Sequence, residues 1–378
     1  MHIGKSSRDL FTPQASITLG RRNTIRTDRI VLGVGTINAT IQGRADSELQ
    51  LGEPNRRVDV AIASGELGAT TRKFTSALDL SRTATTAWLG DVSVGDGHAD
   101  NPLALTGRLA FGPNSHIEAR SITLAQGNAT GILELSGGEL LVERIARGAG
   151  AAQFKWTGGT LEVGEFGDDD FAFDLANLGQ GILGIPDVSG LATIHGDYSQ
   201  GPQATLEVHG RAAGVEQVSV TGNATLSGTL KLRLEPGFHP VVGETFLLVA
   251  AAGVGGTFDR VTGFLAGDTF LHPLYSASSI ELRAYRAGDG NLDGAVDGAD
   301  YTRWSDHYLT TTHQGVAAGD YNGDGLVDGA DYTLWADHFT AAPSLTLATH
   351  AVPEPSSRLL ALLGIVLGAA VSRGRAQF

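Results

Sequence analysis

Ten aspartates and one basic residue, Arg303, lie between positions 288 and 338 of this 378-residue chain. Their spacing is regular enough to do chemistry. Gly288 to Tyr308 aligns without gaps on Gly319 to Phe339, with 15 of 21 positions identical. Each copy sets side-chain oxygens at positions 1, 3, 5, 9 and 12 of a twelve-residue loop. In the first copy these are Asp289, Asn291, Asp293, Asp297 and Asp300; in the second, Asp320, Asn322, Asp324, Asp328 and Asp331. Position 7 would add the backbone carbonyls of Ala295 and Leu326. Alternate residues of a tight loop can aim oxygens at one centre, which suits a hard cation such as calcium with its about 6–8 oxygen ligands. Without an ion the carboxylates would crowd one pocket. Two like charges about 4 Å apart repel by about 4 kcal/mol at an effective dielectric near 20.

Other positions agree. Position 6 is Gly294 and Gly325, where an EF-hand loop turns sharply, and position 8 is Val296 and Val327, able to pack inward. The bland reading is a solvated acidic loop, and the gap-free duplication with both glycines in place argues against it. A short helical stretch follows each loop, at Tyr301-Thr302-Arg303-Trp304 and Tyr332-Thr333-Leu334-Trp335, and no matching helix precedes either. Loop plus following helix, in tandem, resembles the type I dockerin family. The resemblance implies two calcium ions held by these residues and docking onto a cohesin-like or other surface protein. Positions 10 and 11, often Ser/Thr cohesin contacts in the family, are Gly298-Ala299 and Gly329-Ala330 here; position 12 is Asp, as in dockerins. Trp304 and Trp335 are expected to pack the halves together rather than stack on sugars, and His307 and His338 to be structural or exposed.

The elements that must carry these loops are β-rich. The chain has 52 glycines, no cysteine, 42% apolar and 18% charged residues. That excludes a disordered chain, a disulfide framework and thiolate metal sites. Net charge is −14, and the acidic C-terminal region argues against nucleic acid as a partner. Short strands with period-two alternation, such as Ile30-Val31-Leu32 and Ile122-Thr123-Leu124, stand between glycine turns from about 15 to 285. A Ser/Thr-Gly-x-Leu pattern recurs at Ser64, Thr106 and Ser227, with two-glycine forms at Ser136 and Thr157 that lie 21 residues apart. Gly65 and Gly107 are 42 apart. A period near 21 predicts a mainly β fold, a parallel β-helix (solenoid) whose stacked rungs share one core, with glycine supplying unusual corner angles. A β-sandwich is the alternative.

Within residues 191–285, the runs Thr193 to Gln200, Val218 to Leu230 and Gly243 to Val249 resemble the last rungs and cap of autotransporter-type β-helix passengers. Such repeats occur in exported proteins of planctomycetes and related bacteria. No outer-membrane barrel follows, so self-translocation is not implied. The expected organisation is irregular rungs over 1–190, terminal rungs and cap over 191–285, the small α dockerin-like double loop over 288–339, a linker over 340–351 and a tail over 352–378.

The tail joins Val352-Pro353-Glu354-Pro355-Ser356-Ser357, an apolar stretch from Leu359 to Val371, and Arg373 and Arg375. This order resembles the PEP-CTERM sorting signal and implies processing at Pro353-Glu354-Pro355 by an exosortase-type membrane enzyme. Thirteen apolar residues make a helix of about 20 Å, short of the roughly 30 Å hydrocarbon core, so a transient C-terminal hydrophobic helix is expected. No signal-peptide pattern follows Met1, and one is expected upstream of it.

No Gly-x-Ser-x-Gly elbow, His-Glu-x-x-His or phosphate loop is present. Asp168-Asp169-Asp170 is expected to be a turn, His195 and His209 structural, and the Asn-Ala-Thr triplets at Asn38, Asn128 and Asn223 coincidental. The sequence thus predicts a non-enzymatic, exported cell-surface structural or adhesive protein with a calcium-dependent docking module. The alternative is a polysaccharide-active β-helix enzyme anchored by its dockerin, with extracellular polysaccharide as a further partner. A groove holding several acids and a basic residue would favour that alternative.

Overall fold

Period-two alternation becomes strands that bury every second side chain, as along Thr205–Arg211. The computed structural model describes residues 2–5, 14–34, 38–65, 74–97 and 105–340. The PEP-CTERM-like motif, the apolar stretch and the basic end all lie outside the described residues, as do linker positions 341–351 and Glu66 and Leu67 of one glycine pattern. The described residues through Phe339 belong to one unit. Among the described residues, no helix is long and apolar enough to cross a membrane.

The fold is mainly β. Strands pair in parallel with strands one pass later in the chain, on three faces visited in constant order. On the first face Ile17, Ile41, Leu78, Leu109 and Leu133 succeed one another in register. On the second, Ile117, Leu140, Leu161, Leu183, Leu206 and Leu230 do so. On the third, Val60, Val92, Ile122, Ile145, Phe166 and Ile194 follow suit. From Leu175 onward the first place in the order is taken by a separate parallel sheet of Leu175–Asn177, Tyr198–Gln200, Asn223–Leu226 and Gly253–Gly256. The three apolar columns meet in one core. Burying each such Leu or Ile contributes about 1.5–3 kcal/mol, so every pass stabilises its neighbours and none could stand alone.

The 21-residue period holds for only one pass. Leu140 and Leu161 are 21 apart, but Ile41 and Leu78 are 37 apart, because the turns between faces vary while the strands keep register. The 42-residue spacing of Gly65 and Gly107 is not two repeats. Ser64 pairs with Asp96 on the third face, whereas Gly107 pairs with Ser76 and Gly131 on the first. The reason for glycine also differs between copies. Gly138, Gly159 and Gly228 have φ of 73°, 86° and 69°, the corner angles expected. Gly107 instead has no room: a Cβ there would lie 2.4 Å from the Gly95 nitrogen and 2.9 Å from the Ile62 oxygen.

The last strands turn antiparallel. Ser279–Arg286 pairs with Thr245–Ala250 on one side and Thr269–Tyr275 on the other. This covers the open end of the parallel stack, whose unpaired backbone groups would otherwise template association. Two residues, Ala287 and Gly288, then lead straight to Asp289.

Candidate metal centre

Each acidic loop is closed by its own backbone. In the first, Asp289 accepts from the backbone N–H of Asp293 (3.2 Å) and Gly294 (2.9 Å). Asp300, eleven residues on, accepts from Gly290 (2.9 Å) and Asn291 (3.1 Å) with Oδ1 and from Asp297 (2.8 Å) with Oδ2. Between them run Asx turns: Asn291 Oδ1 accepts from Asp293 N, and Asp293 Oδ1 from Ala295 N, both at 2.9 Å. Gly294 turns the loop at φ 92°. The second loop repeats the pattern. Asp331 accepts from Tyr321, Asn322 and Asp328 at 2.7, 3.0 and 2.8 Å, Asp320 from Gly323 and Gly325 at 2.8 and 3.0 Å, and Gly325 has φ 90°.

Positions 9 and 12 also start helices. Asp297 caps α1 (Gly298–Asp306) and Asp328 caps α2 (Gly329–His338), each in a capping box with Asp300 or Asp331. The helices extend well beyond the four-residue stretches expected. The capping role was legible, since Asp three residues ahead of Asp before a helical stretch is a start signal. A 3-10 turn, Gly315–Ala318, precedes the second loop where no helix was expected. Val296 and Val327 are buried at 0% exposure, as position 8 predicted.

The two halves close on each other. Trp304 Nε1 donates to the Asp328 carbonyl and Trp335 Nε1 to the Asp297 carbonyl. Tyr301 and Tyr332 fill the space between the indoles. Both tryptophans are therefore packing residues, as expected. His307 and His338 turn Nδ1 to the carbonyls of Arg303 and Leu334, each at 2.8 Å, within their own helices. A short strand-like bridge, Thr311 with Leu326, ties the connecting segment to the second loop.

The electrostatics are unusual. Asp289, Asp300, Asp320 and Asp331 are 0–2% exposed. Burial pushes the Asp289 carboxyl up to about 6, against the hydrogen bond from Gly294. Burial likewise raises Asp300, Asp320 and Asp331, each opposed by backbone N–H donors. Among the described residues no Lys, Arg or His forms an ion pair with any of the eight loop carboxylates; His338 pairs with Asp268 instead. A buried carboxylate without a counter-charge is costly. Four of them at the two ends of two oxygen-lined loops fit a divalent cation, and an all-oxygen set fits calcium. Asp293 and Asp324 are exposed, Asn291, Asp297, Asn322 and Asp328 half-buried, and Ala295 and Leu326 lie at the rim.

Residues 287–338 form a type I dockerin domain. The match begins one residue after the last β strand and ends at the last residue of α2. No curated protein matches the chain. The dockerin domain is set directly against the β stack: Val316 and Tyr321 join its hydrophobic core, and Phe264 lies over Gly323, whose Cβ would fall 2.6 Å from the ring.

Among the described residues, one trio of His and carboxylate side chains converges closely, and it lies outside the two loops and was not anticipated. Asp187, His209 and Glu216 place one ligand atom each within 4.8 Å of one another. Arg211 already occupies this cluster, contacting Asp187, Glu216 and, at 2.8 Å, Glu235. Its guanidinium supplies the counter-charge that the loops lack. His209 therefore belongs to an ion-pair network, a role that spacing could not reveal because the network joins three separate turns. Asp168 forms the expected turn, accepting from the N–H of Asp170 and Phe171 at 3.1 and 2.7 Å. His195 lies 3.2 Å from Glu165 and 3.0 Å from Asp169, the second contact being misaligned for a hydrogen bond.

Proposed function

We propose that this chain is an exported, non-catalytic surface protein in which a parallel β-helix serves as a spacer for a calcium-dependent dockerin module. One observation carries the reading: four buried loop carboxylates without a cationic partner, within a dockerin domain. Calcium at Asp289, Asn291, Asp293, Ala295, Asp297 and Asp300, and at their six counterparts, would turn that repulsion into coordination, so binding free energy appears as folding free energy. The three columns of stacked side chains support the β-helix reading, since each pass needs its neighbours. A cohesin-like surface protein is the proposed partner. With Gly-Ala at positions 10 and 11 on both exposed helix starts, recognition would rest on the helix faces rather than on hydroxyl contacts there. The C-terminal motif supports sorting by exosortase-type machinery and a transient membrane segment.

The second reading, a polysaccharide-active enzyme, draws on the outer cluster of Asp187, His209, Arg211 and Glu216. Its acids are spent on Arg211, and Glu207 nearby is spent on Lys231 and Arg233. We therefore favour the spacer. Calorimetry of the full chain with calcium tests the reading, with two sites expected. Absence of binding heat at millimolar calcium would overturn it. Turnover of any polysaccharide that is lost in Glu216→Gln would instead support the enzyme.

A further inference from the structure

Where the last β strands meet the turn joining the two calcium loops, a cleft of about 280 Å³ opens. Arg260, His272 and Tyr275 stand on the β side, and His313 and Gln314 on the dockerin side. Its floor is apolar, with Phe258 buried beneath.

Asp259 and the Tyr275 hydroxyl of this cleft are already engaged, while the side chains of Arg260, His272 and Gln314 are not. Asp259, its one carboxylate, accepts from Ser227 Oγ at 2.7 Å and from Gly228 N at 2.6 Å, so its oxygens are held in a turn while it stays ionised. Arg260 lies beside it, yet among the described residues its guanidinium has no ion pair and no hydrogen bond. Nη2 reaches across the junction, to 3.1 Å from where a Cβ on Gly325 would stand. Among the described residues, the side chains of His272 and Gln314 have no hydrogen-bond partner either. Burial pushes the His272 ring below its usual pKa, so it offers one donor and one acceptor as a neutral ring. The Tyr275 hydroxyl accepts from Phe258 N at 3.1 Å, which fixes its ring at the mouth, 37% exposed.

We propose that this cleft binds a carboxylate-bearing sugar, a hexuronate unit of an oligosaccharide. A guanidinium fork matches a carboxylate in two parallel hydrogen bonds. The fixed Tyr275 ring presents an apolar face to the C–H side of a pyranose, and its hydroxyl, which accepts from Phe258 N, keeps its O–H to donate to the sugar. His272 and Gln314 are placed for ring hydroxyls. The size is near the lower limit of small-molecule sites, about 300 Å³, which suits one or two sugar units. The occupant would touch both the β stack and the dockerin domain.

The test is calorimetry on the calcium-loaded full chain at fixed free calcium, with linked digalacturonate as the probe. Saturable binding is expected, with neutral digalactose and acetate each at least ten-fold weaker. Arg260→Ala should weaken digalacturonate at least ten-fold, and Gln314→Ala, on an exposed turn, several-fold, with the unfolding midpoint unchanged. Should Arg260→Ala unfold, the ligand comparison and Gln314→Ala decide alone. Three results would overturn the proposal: no saturable binding at millimolar digalacturonate, equal affinity for the neutral disaccharide or acetate, or unchanged binding in folded Arg260→Ala. Neither calcium affinity nor capture of a protein partner enters the readout, so the docking role can fail or stand separately.

Discussion

The indole nitrogen of Trp304 donates to the backbone carbonyl of Asp328 at 2.7 Å, and Trp335 returns the same bond to Asp297 at 2.8 Å. Each tryptophan thus anchors the loop of the opposite half, at the residue that is both a proposed ligand and a helix cap. Trp304→Phe keeps most of the ring and removes the donor. It should cost about 1–2 kcal/mol, since the Asp328 carbonyl loses its partner. Chemical denaturation of the calcium-loaded protein would measure this. The same variant should weaken the second calcium site more than the first, which stepwise calorimetry resolves.

Asp300 and Asp331 each hold three backbone N–H groups as well as the position-12 charge. Asp300→Asn and Asp331→Asn retain an acceptor oxygen and lose the charge. Each should lower calcium affinity at its own loop on the order of 100-fold, about 2–3 kcal/mol. Calorimetry of the two variants should show one surviving site in each.

The Asp289 carboxyl stands at about 6 in the folded, metal-free loop against 3.8 for an ordinary Asp. Between those values the folded state binds more protons than the unfolded one. Stability of the metal-free dockerin domain is therefore fullest below about pH 4 and falls as pH rises through about 6. Calcium needs the ionised carboxylates, so its affinity runs the other way, rising up to about pH 6 and levelling above it. Hydrogen exchange of residues 288–338 at pH 4, 5.5 and 7 (with and without calcium) would check both slopes, after correction for intrinsic exchange.

Gly107→Ala should destabilise the β stack by about 2–4 kcal/mol, in the range of overpacking and strain at fixed backbone. Its Cβ would meet backbone atoms of two neighbouring strands, which cannot swing aside. Ala at Gly267, where no atom lies within 4 Å but φ is 61°, should cost only about 1 kcal/mol. Thermal unfolding of the two variants would separate crowding from dihedral strain.

Much of the candidate site is readable in the sequence. The spacing of the loop oxygens is local, confined to twelve residues, and the duplication supplied an internal control. The helix caps follow a local rule as well, but Asp297 and Asp300 were read only as loop oxygens, and their capping role came with the structure. What stayed hidden depends on residues distant in sequence. The crosswise bonds of Trp304 and Trp335 span 24 and 38 residues. The Arg211 network draws Asp187 and Glu235 from turns on either side. Strand alternation showed which side chains turn inward, as Leu140 and Leu161 do. It could not show pass length, since the turns that set it carry no period, and so Gly65 and Gly107 seemed equivalent while belonging to different faces.

Only Ala287 and Gly288 separate the last β strand from the first loop, and Phe264 sits against Gly323 of the second. The module is therefore a bracket rather than a tether. A flexible leash would let a captured partner sample every direction and would absorb a pull by uncoiling. Here the orientation of any docked partner would follow the stack, and a pull on it would pass to the antiparallel hairpin of Thr269–Tyr275 and Ser279–Arg286. Were such a junction loaded, that hairpin and the Phe264–Gly323 contact would carry the strain together.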